Sequence, residues 1–489
     1  MSESNSVREI EHWLTRASGL PPAEEIQAIR RHLQSLVSAS LPAVQRQRLT
    51  DGLHARTCGV IDALMPRLFN VRLPISNNTR QTVRSMQEAL ESLARLGFDI
   101  VETSVRQPVT LATPVEISLS QIIEALGRHV VLANLIAAPV GPGIWFNLHR
   151  AYLTIRLHRA EKLVPPGART DLQTAYARTL IAGSLPSSAL TANEWAFLHR
   201  FLADSCPPLA VIDSVGAGAT EAALWIAPEQ DMTPVIVDRR PPADGTLALY
   251  VPYGQLLAEI KHALSALVQG NQSPAFLPAD TSARTARIAL RRLRDHLSSP
   301  RKRRFPRRRQ GYRASLCVGF EDICLLLKTR TTTSELTSEW MIVNESPGGY
   351  AAMHVSGRPS KAQVGDLVAM RREGENHWSI SVVRWALSEN PEHLEFGLEE
   401  LSPRAISGHM ATPGHLQDGH LLALLLPALP PLRQEDALAF SPASRPAKEK
   451  LHVFVSDGEK AEVREFRLGK PIEQSSGIDV FLIAPLDTP

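Results

Sequence analysis

Arg301-Lys302-Arg303-Arg304-Phe305-Pro306-Arg307-Arg308-Arg309 opens one stretch of this chain, and Asn344-Glu345-Ser346-Pro347-Gly348-Gly349 closes it. The first segment is an arginine cluster interrupted by proline. The second is a short polar turn with two glycines. Arginine is planar and always charged, and it donates in a fixed fork to phosphates and to guanine edges. It also stacks on aromatic faces. Glycine lets a backbone come close to a ligand. Together the two segments suit a ligand that is both anionic and aromatic, which is the chemistry of a nucleotide. Pro306 denies its neighbours a regular helix, so the arginines are expected on a loop, mobile over Arg301 to Arg313, that a ligand could order.

Reading outward, six segments have strand character: Leu316 to Leu327, Glu339 to Asn344, Tyr350 to Val355, Leu367 to Arg371, Trp378 to Trp385 and Leu394 to Leu398. Trp378, Ile380 and Val382 alternate with Ser379 and Ser381, the period of a half-buried strand. Regular short strands separated by turn residues fit a small closed barrel.

These residues resemble the PilZ domains, bacterial receptors for cyclic di-GMP. That family carries an Arg-x-x-x-Arg element before a small β-barrel and an Asp/Asn-x-Ser-x-x-Gly element at the end of an early strand. Arg303 and Arg307 match the first, and Asn344, Ser346 and Gly349 match the second. Gly365-Asp366-Leu367-Val368, Val382-Val383-Arg384-Trp385 and Glu395-Phe396-Gly397 follow in barrel order. The resemblance runs from about Pro300 to Pro403 and implies that Arg303 and Arg307 stack on guanine and reach phosphates or the O6/N7 edge. It implies that Asn344 and Ser346 hydrogen-bond the ligand and that Gly349 lets a strand pass close to a base. Two departures stand out. Arg304/Arg308 and Arg309/Arg313 satisfy the same spacing, and Arg308 to Arg313 intervenes where the family passes almost directly into a strand.

The chain has 489 residues, 44% of them hydrophobic and 21% charged, which suits a soluble protein of two to four domains. Net charge is only +3, yet Arg284 to Arg313 holds thirteen Lys and Arg against the single Asp295. One basic belt therefore sits in an otherwise acidic chain, and it attracts phosphates over roughly 8–10 Å. A charged linker, a nucleic-acid patch and an acidic-lipid patch are the other readings of such a belt. Cys58, Cys206, Cys317 and Cys324 form no Cys-x-x-Cys pair and read as buried free thiols in a reducing compartment, with no metal expected. The polar start, Met1 to Ser6, is unlike a signal peptide, and no apolar run reaches the roughly 18–20 residues that span a bilayer. A cytoplasmic protein is expected.

Before the belt the texture changes once. Up to about residue 205 the apolar spacing is helical. Pro22 precedes a stripe of Ile26, Ile29, Leu33 and Leu36, and Leu41-Pro42 starts a second helix. Asn78 or Thr79 is expected to cap a third, ending at Gly97, and Ser118 a fourth. Ile144 to Lys162 resumes the pattern, and Thr191 to Glu194 reads as a capping box before Trp195. From Pro207, Leu209 to Asp213, Ala222 to Ile226, Val235 to Asp238 and Leu247 to Val251 read as strands, then Leu256 to Val268 and Thr281 to Leu297 as helices. Gly216-Ala217-Gly218 opens no helix and reads as a hairpin turn.

The expected fold class is multidomain α + β. A helical domain spans residues 1–206, a small α/β module 207–278, a basic helix 279–300, a PilZ-like six-stranded antiparallel barrel 301–403, and a proline-rich connection with a short terminal β segment 404–489. No Gly-x-Ser-x-Gly elbow, Walker loop or His-Glu-x-x-His is present, and His409, His415 and His420 beside Asp418 read as surface residues of a loop, so no catalytic residue is expected. The function expected from the resemblance is a cyclic di-GMP receptor without further cofactor. Its arginine arm clamps the dinucleotide on the barrel and alters protein-partner contacts of the helical region. The alternatives are a PilZ-like scaffold that binds no nucleotide and a basic nucleic-acid-binding protein.

Overall fold

The computed structural model describes residues 3–16, 19–106, 114–215, 222–269, 274–298, 306–329, 335–357, 361–390, 393–411, 421–430, 433–446, 449–456 and 461–486. They fall into two compact units, a largely helical one up to Arg301 and a β-rich one from Lys302. Residues Arg72–Ile75 and Ser188–Thr191 group with the β unit. No helix among the described residues is long and apolar enough to cross a membrane.

The helical unit begins with α1 (Glu3–Thr15), α2 (Pro22–Ser38), α3 (Ala43–Leu64), α4 (Asn77–Arg106) and α5 (Val115–Leu135). It continues with α6 (Ile144–Leu157), α7 (Leu172–Ser184) and α8 (Ala192–Asp204). The stripes read from the sequence are its core. Ile26, Ile29, Leu33 and Leu36 of α2, and Val83, Met86 and Leu90 of α4, have no exposed surface. Tyr152 of α6 and Tyr176 of α7 stack in parallel, 4.2 Å between ring centres.

Two helix boundaries differ from expectation. Gly97 does not end α4 but lies inside it, where a Cβ would come within 2.7 Å of Ile122 on α5. The glycine serves close helix contact rather than termination. Ser76, not Asn78 or Thr79, caps α4, its hydroxyl accepting from the Thr79 amide at 3.2 Å. Ser118 is buried in the first turns of α5 rather than capping it.

The same unit holds a three-stranded antiparallel sheet of β1 (Ala223–Ile226), β2 (Val235–Ile236) and β3 (Leu249–Pro252), in the order β2-β1-β3. Leu209 to Asp213 is not a strand; it contributes one bridge, Ile212 to Tyr250. The Gly216–Gly218 turn lies outside the described residues. Helices α9 (Gly254–Gln269) and α10 (Ala283–Ser298) follow, and Arg292 of α10 pairs at 2.8 Å with the buried Glu194 of α8.

The β unit contains two closed six-stranded antiparallel barrels. The first comprises β4 (Arg308–Val318), β5 (Ser338–Ser346), β6 (Gly349–Ser356), β7 (Leu367–Arg372), β8 (Ser379–Asn390) and β9 (His393–Ser402), with α11 (Phe320–Thr329) between β4 and β5. Leu316 to Leu327 is thus not one strand. Gly319, at φ 111°, ends β4, and the apolar residues beyond it form α11. The strand also starts earlier than expected. Arg308 to Arg313 is paired to β5, with Arg309 opposite Asn344 and Arg313 opposite Met341. Half of the presumed arginine loop is therefore sheet.

The second barrel comprises β10 (Ile406–Ala411), β11 (Leu421–Leu426), β12 (Ala437–Phe440), β13 (Lys450–Ser456), β14 (Ala461–Gln474) and β15 (Asp479–Pro485). The short terminal β segment is thus a complete barrel, and His409 lies on a strand instead of a loop; His415, Asp418 and His420 lie outside the described residues. Both barrels follow one cyclic order, first-second-third-sixth-fifth-fourth. Their facing surfaces close over α11. Cys317, Ile380 and Val382 of the first barrel, Ile323 and Leu326 of α11, and Leu424, Ala439 and Val480 of the second share one apolar cluster. All four cysteines are free, three of them buried.

Candidate functional site

The turn after β5 carries the second sequence motif. Ser346 ends β5 and Gly349 begins β6 directly opposite it. The Ser346 hydroxyl donates to the Gly349 carbonyl at 3.3 Å, and the Glu400 amide of β9 donates to the Gly348 carbonyl at 3.1 Å. A Cβ on Gly349 would stand 2.0 Å from the Leu398 carbonyl. This glycine is needed so that β6 can run against β9, a structural reason distinct from approach to a ligand.

A cavity of ≈ 690 Å³ opens beside this turn, walled by both barrels. Arg307, Ser346 and Gly349 lie on its wall. Arg307 is exposed and sits one residue before β4, so the chain does pass from this arginine straight into a strand. Asn344 is not on the cavity wall. It lies mid-ladder, half-buried, with Arg309 on one side and Ala351 on the other. Arg303 and Arg304 lie outside the described residues, so the geometry of the Arg-x-x-x-Arg pair is visible only at Arg307 and Arg308.

Sequence reasoning missed the aromatic wall. Trp385 of β8 lines the cavity, half-buried. It stands opposite Gly397 of β9, where a Cβ would come within 1.8 Å of the indole nitrogen. Gly397 therefore seats the indole flat against the sheet, leaving a π face for an aromatic ligand. The signal in the sequence was a tryptophan in one strand and a glycine in the next, and only the register joins the two.

Charge on the wall is mostly spoken for. Arg384 donates to Glu399 and to the buried Glu473, each at 2.5 Å. Burial works against its cation, but the two carboxylates outweigh it and hold its pKa above the ordinary arginine value. Arg433 donates to the carbonyls of Leu401, at 3.0 Å, and Pro427, at 2.6 Å. Tyr350 accepts from Arg372 at 2.9 Å and donates to Glu400 at 3.0 Å. Burial, with Glu400 beside it, pushes the Tyr350 phenol up to about 12. Burial likewise raises the Glu400 carboxyl, against the pull of Tyr350 and Arg372. Among the described wall arginines, Arg384 is held by carboxylates and Arg433 by carbonyls, while the Arg307 side chain has no such partner, so its fork is open to an incoming anion.

The arrangement offers one available guanidinium, a hydroxyl, an indole face and carboxylates. The carboxylates can accept from the exocyclic amino group that guanine presents. A volume of this size lies within the usual range of roughly 300–1,000 Å³ for small-ligand sites.

Comparison with known proteins bears on both units. Residues 8–214 match the family model described as the N-terminal domain of the cyclic-di-GMP receptor FimW. Residues 327–406 match the model of that receptor's middle PilZ domain, a narrower span than the Pro300 to Pro403 resemblance and one that leaves the arginine segment outside. The N-terminal region, unassigned from the sequence, thus has a family match of its own. The cyclic-di-GMP receptor FimW of Pseudomonas aeruginosa is 22% identical over 515 aligned positions, covering 86% of this chain and 82% of that protein.

Proposed function

We propose that this chain is a cyclic di-GMP receptor and that the dinucleotide enters the cavity bounded by Arg307, Ser346, Gly349 and Trp385. The observation that carries the site is the convergence on one cavity wall of Arg307 and the Ser346–Gly349 turn, segments apart in sequence. The FimW matches over both units support the ligand class. In this reading Arg307 takes a phosphate or the guanine O6/N7 edge, and a base stacks on Trp385. Ser346 rotates from the Gly349 carbonyl to the ligand. Asn344, away from the wall, acts through its place in the β5 ladder. Arg303 is the second arginine of the clamp.

The clamp is the way binding would reach the helical region, residues 1–206, which we assign to contact with a protein partner. The protein is read as a cytoplasmic, non-catalytic receptor whose signalling ligand is the dinucleotide.

Fluorescence tests the location. Stacking on Trp385 should quench part of the tryptophan emission when cyclic di-GMP is added. Trp385→Phe should remove that change while calorimetric affinity falls only several-fold. Quenching that persists in Trp385→Phe would mean that the ligand lies elsewhere.

A further inference from the structure

The helical unit holds a cluster that dinucleotide binding does not use. His54 and Cys58 stand one turn apart on α3, and Glu124 faces them from α5. Cys58 Sγ is 3.8 Å from His54 Nε2 and 3.8 Å from Glu124 Oε1. His54 Nε2 is 3.6 Å from Glu124 Oε2. Zinc bonds of about 2.3 Å to sulfur and roughly 2.0–2.2 Å to nitrogen and oxygen, at tetrahedral angles, hold such atoms about 3.4–3.6 Å apart. The sulfur–nitrogen edge, and the nearest carboxylate oxygen to each of those atoms, are within a few tenths of an ångström of what zinc needs. The two carboxylate contacts are made by different oxygens. With one ligand atom taken from each residue, all three lie within 4.8 Å of one another, so a small rotation of the Glu124 carboxylate closes the set.

We propose that His54, Cys58 and Glu124 form a zinc site with its fourth position open to the adjoining cavity. That cavity, ≈ 680 Å³, has both His54 and Glu124 on its wall. Thiolate and imidazole donors select a borderline-soft metal of this kind over magnesium or calcium. Three protein ligands and one open position match sites where zinc keeps a water or takes a ligand group.

The surroundings fit a ligand set. Arg128 donates to Glu124 Oε1 at 3.0 Å and to Asp62 at 2.6 Å. It fixes the carboxylate and leaves Oε2 facing His54, the part that hydrogen-bonded outer partners play around metal carboxylates. Charge closes as well. The zinc ion, the thiolate, the carboxylates of Glu124 and Asp62 and the Arg128 guanidinium sum to zero. On binding, the Cys58 S–H bond breaks, an S–Zn bond forms and the proton leaves to solvent, while neutral His54 supplies a ring lone pair. The spacing His54-x-x-x-Cys58 is invisible to a search for paired cysteines, and only the fold brings in Glu124.

The test uses the full chain, stripped with chelator and titrated with Zn²⁺ against a chromophoric competitor, and separately with Co²⁺. One zinc per chain should bind. Co²⁺ should give a sulfur-to-metal charge-transfer band in the near ultraviolet and the visible bands of a four-coordinate ion. Cys58→Ser should abolish the charge-transfer band and weaken zinc binding by more than the roughly 10–100-fold that outer-partner changes cost. Glu124→Gln, which keeps the volume of the side chain, should weaken it independently. Affinity for cyclic di-GMP should stay as in wild type in both variants, so failure here is distinct from failure of the receptor reading. Absence of stoichiometric zinc, or a cobalt band that survives Cys58→Ser, would overturn the proposal.

Discussion

Arg307→Ala is the most incisive perturbation of the proposed site. Arg307 is exposed, precedes β4 and makes no ion pair among the described residues, so its removal strands no buried partner. Stability should change by no more than about 0.5 kcal/mol, the usual range for such surface positions. Its loss to the ligand is different in size. A hydrogen bond to a charged group contributes about 1.5–3 kcal/mol, and each 1.4 kcal/mol is about tenfold in affinity. Calorimetry with cyclic di-GMP should therefore show binding weakened about ten- to a hundredfold, with the thermal midpoint unmoved. Arg307→Lys should recover little, because an ammonium neither stacks on guanine nor pairs in a fork. Arg308→Ala is the matched control. Arg308 is the first residue of β4, opposite Glu345, and is not on the cavity wall. If Arg308→Ala loses affinity and Arg307→Ala binds as wild type, the register of the arginine motif is shifted and the reasoning fails.

Two other perturbations probe the fold. A Cβ at Gly183 of α7 would stand 2.0 Å from the buried Trp145 indole, so Gly183→Ala should destabilise by about 1–3 kcal/mol despite the better helix propensity of alanine; an unchanged or raised urea midpoint would contradict this. In the β unit, burial raises the Asp366 carboxyl to about 6 even though Arg72 donates to it at 2.8 and 3.1 Å. A carboxyl with a raised folded pKa contributes stability at low pH that is lost as pH climbs through that value. The stability of wild type relative to Asp366→Asn should therefore fall between about pH 4 and 6, and a difference flat across that window in urea titrations would rule out the burial effect.

The sequence disclosed the parts of the fold where period and burial coincide. Ile26, Ile29, Leu33 and Leu36 could only be one helix face, and Trp378, Ile380 and Val382 only one strand face. It misled where an apolar run had no period long enough to decide. Leu316 to Leu327 carries a strand end, the Gly319 corner and a helix, and nothing in its hydrophobicity separates them. Gly97 looked like a terminus because its cause, Ile122, lies on another helix. The second barrel hid behind proline-rich connections and a strand, β12, of only four residues. At the site, Arg307, Ser346 and Gly349 were legible as motif positions. Trp385 was not, because its seat is Gly397 across a strand pair, and register is a property of the folded sheet.

The account stands most directly on isothermal titration calorimetry of the full chain with cyclic di-GMP, run beside cyclic di-AMP and GTP. It predicts saturable binding of cyclic di-GMP at one site. Cyclic di-AMP should bind far more weakly, because adenine carries an amino donor where guanine has the O6 acceptor and lacks guanine's amino group at C2, and so should GTP, for want of the second base. No binding of cyclic di-GMP, or equal affinity for all three nucleotides, would contradict it.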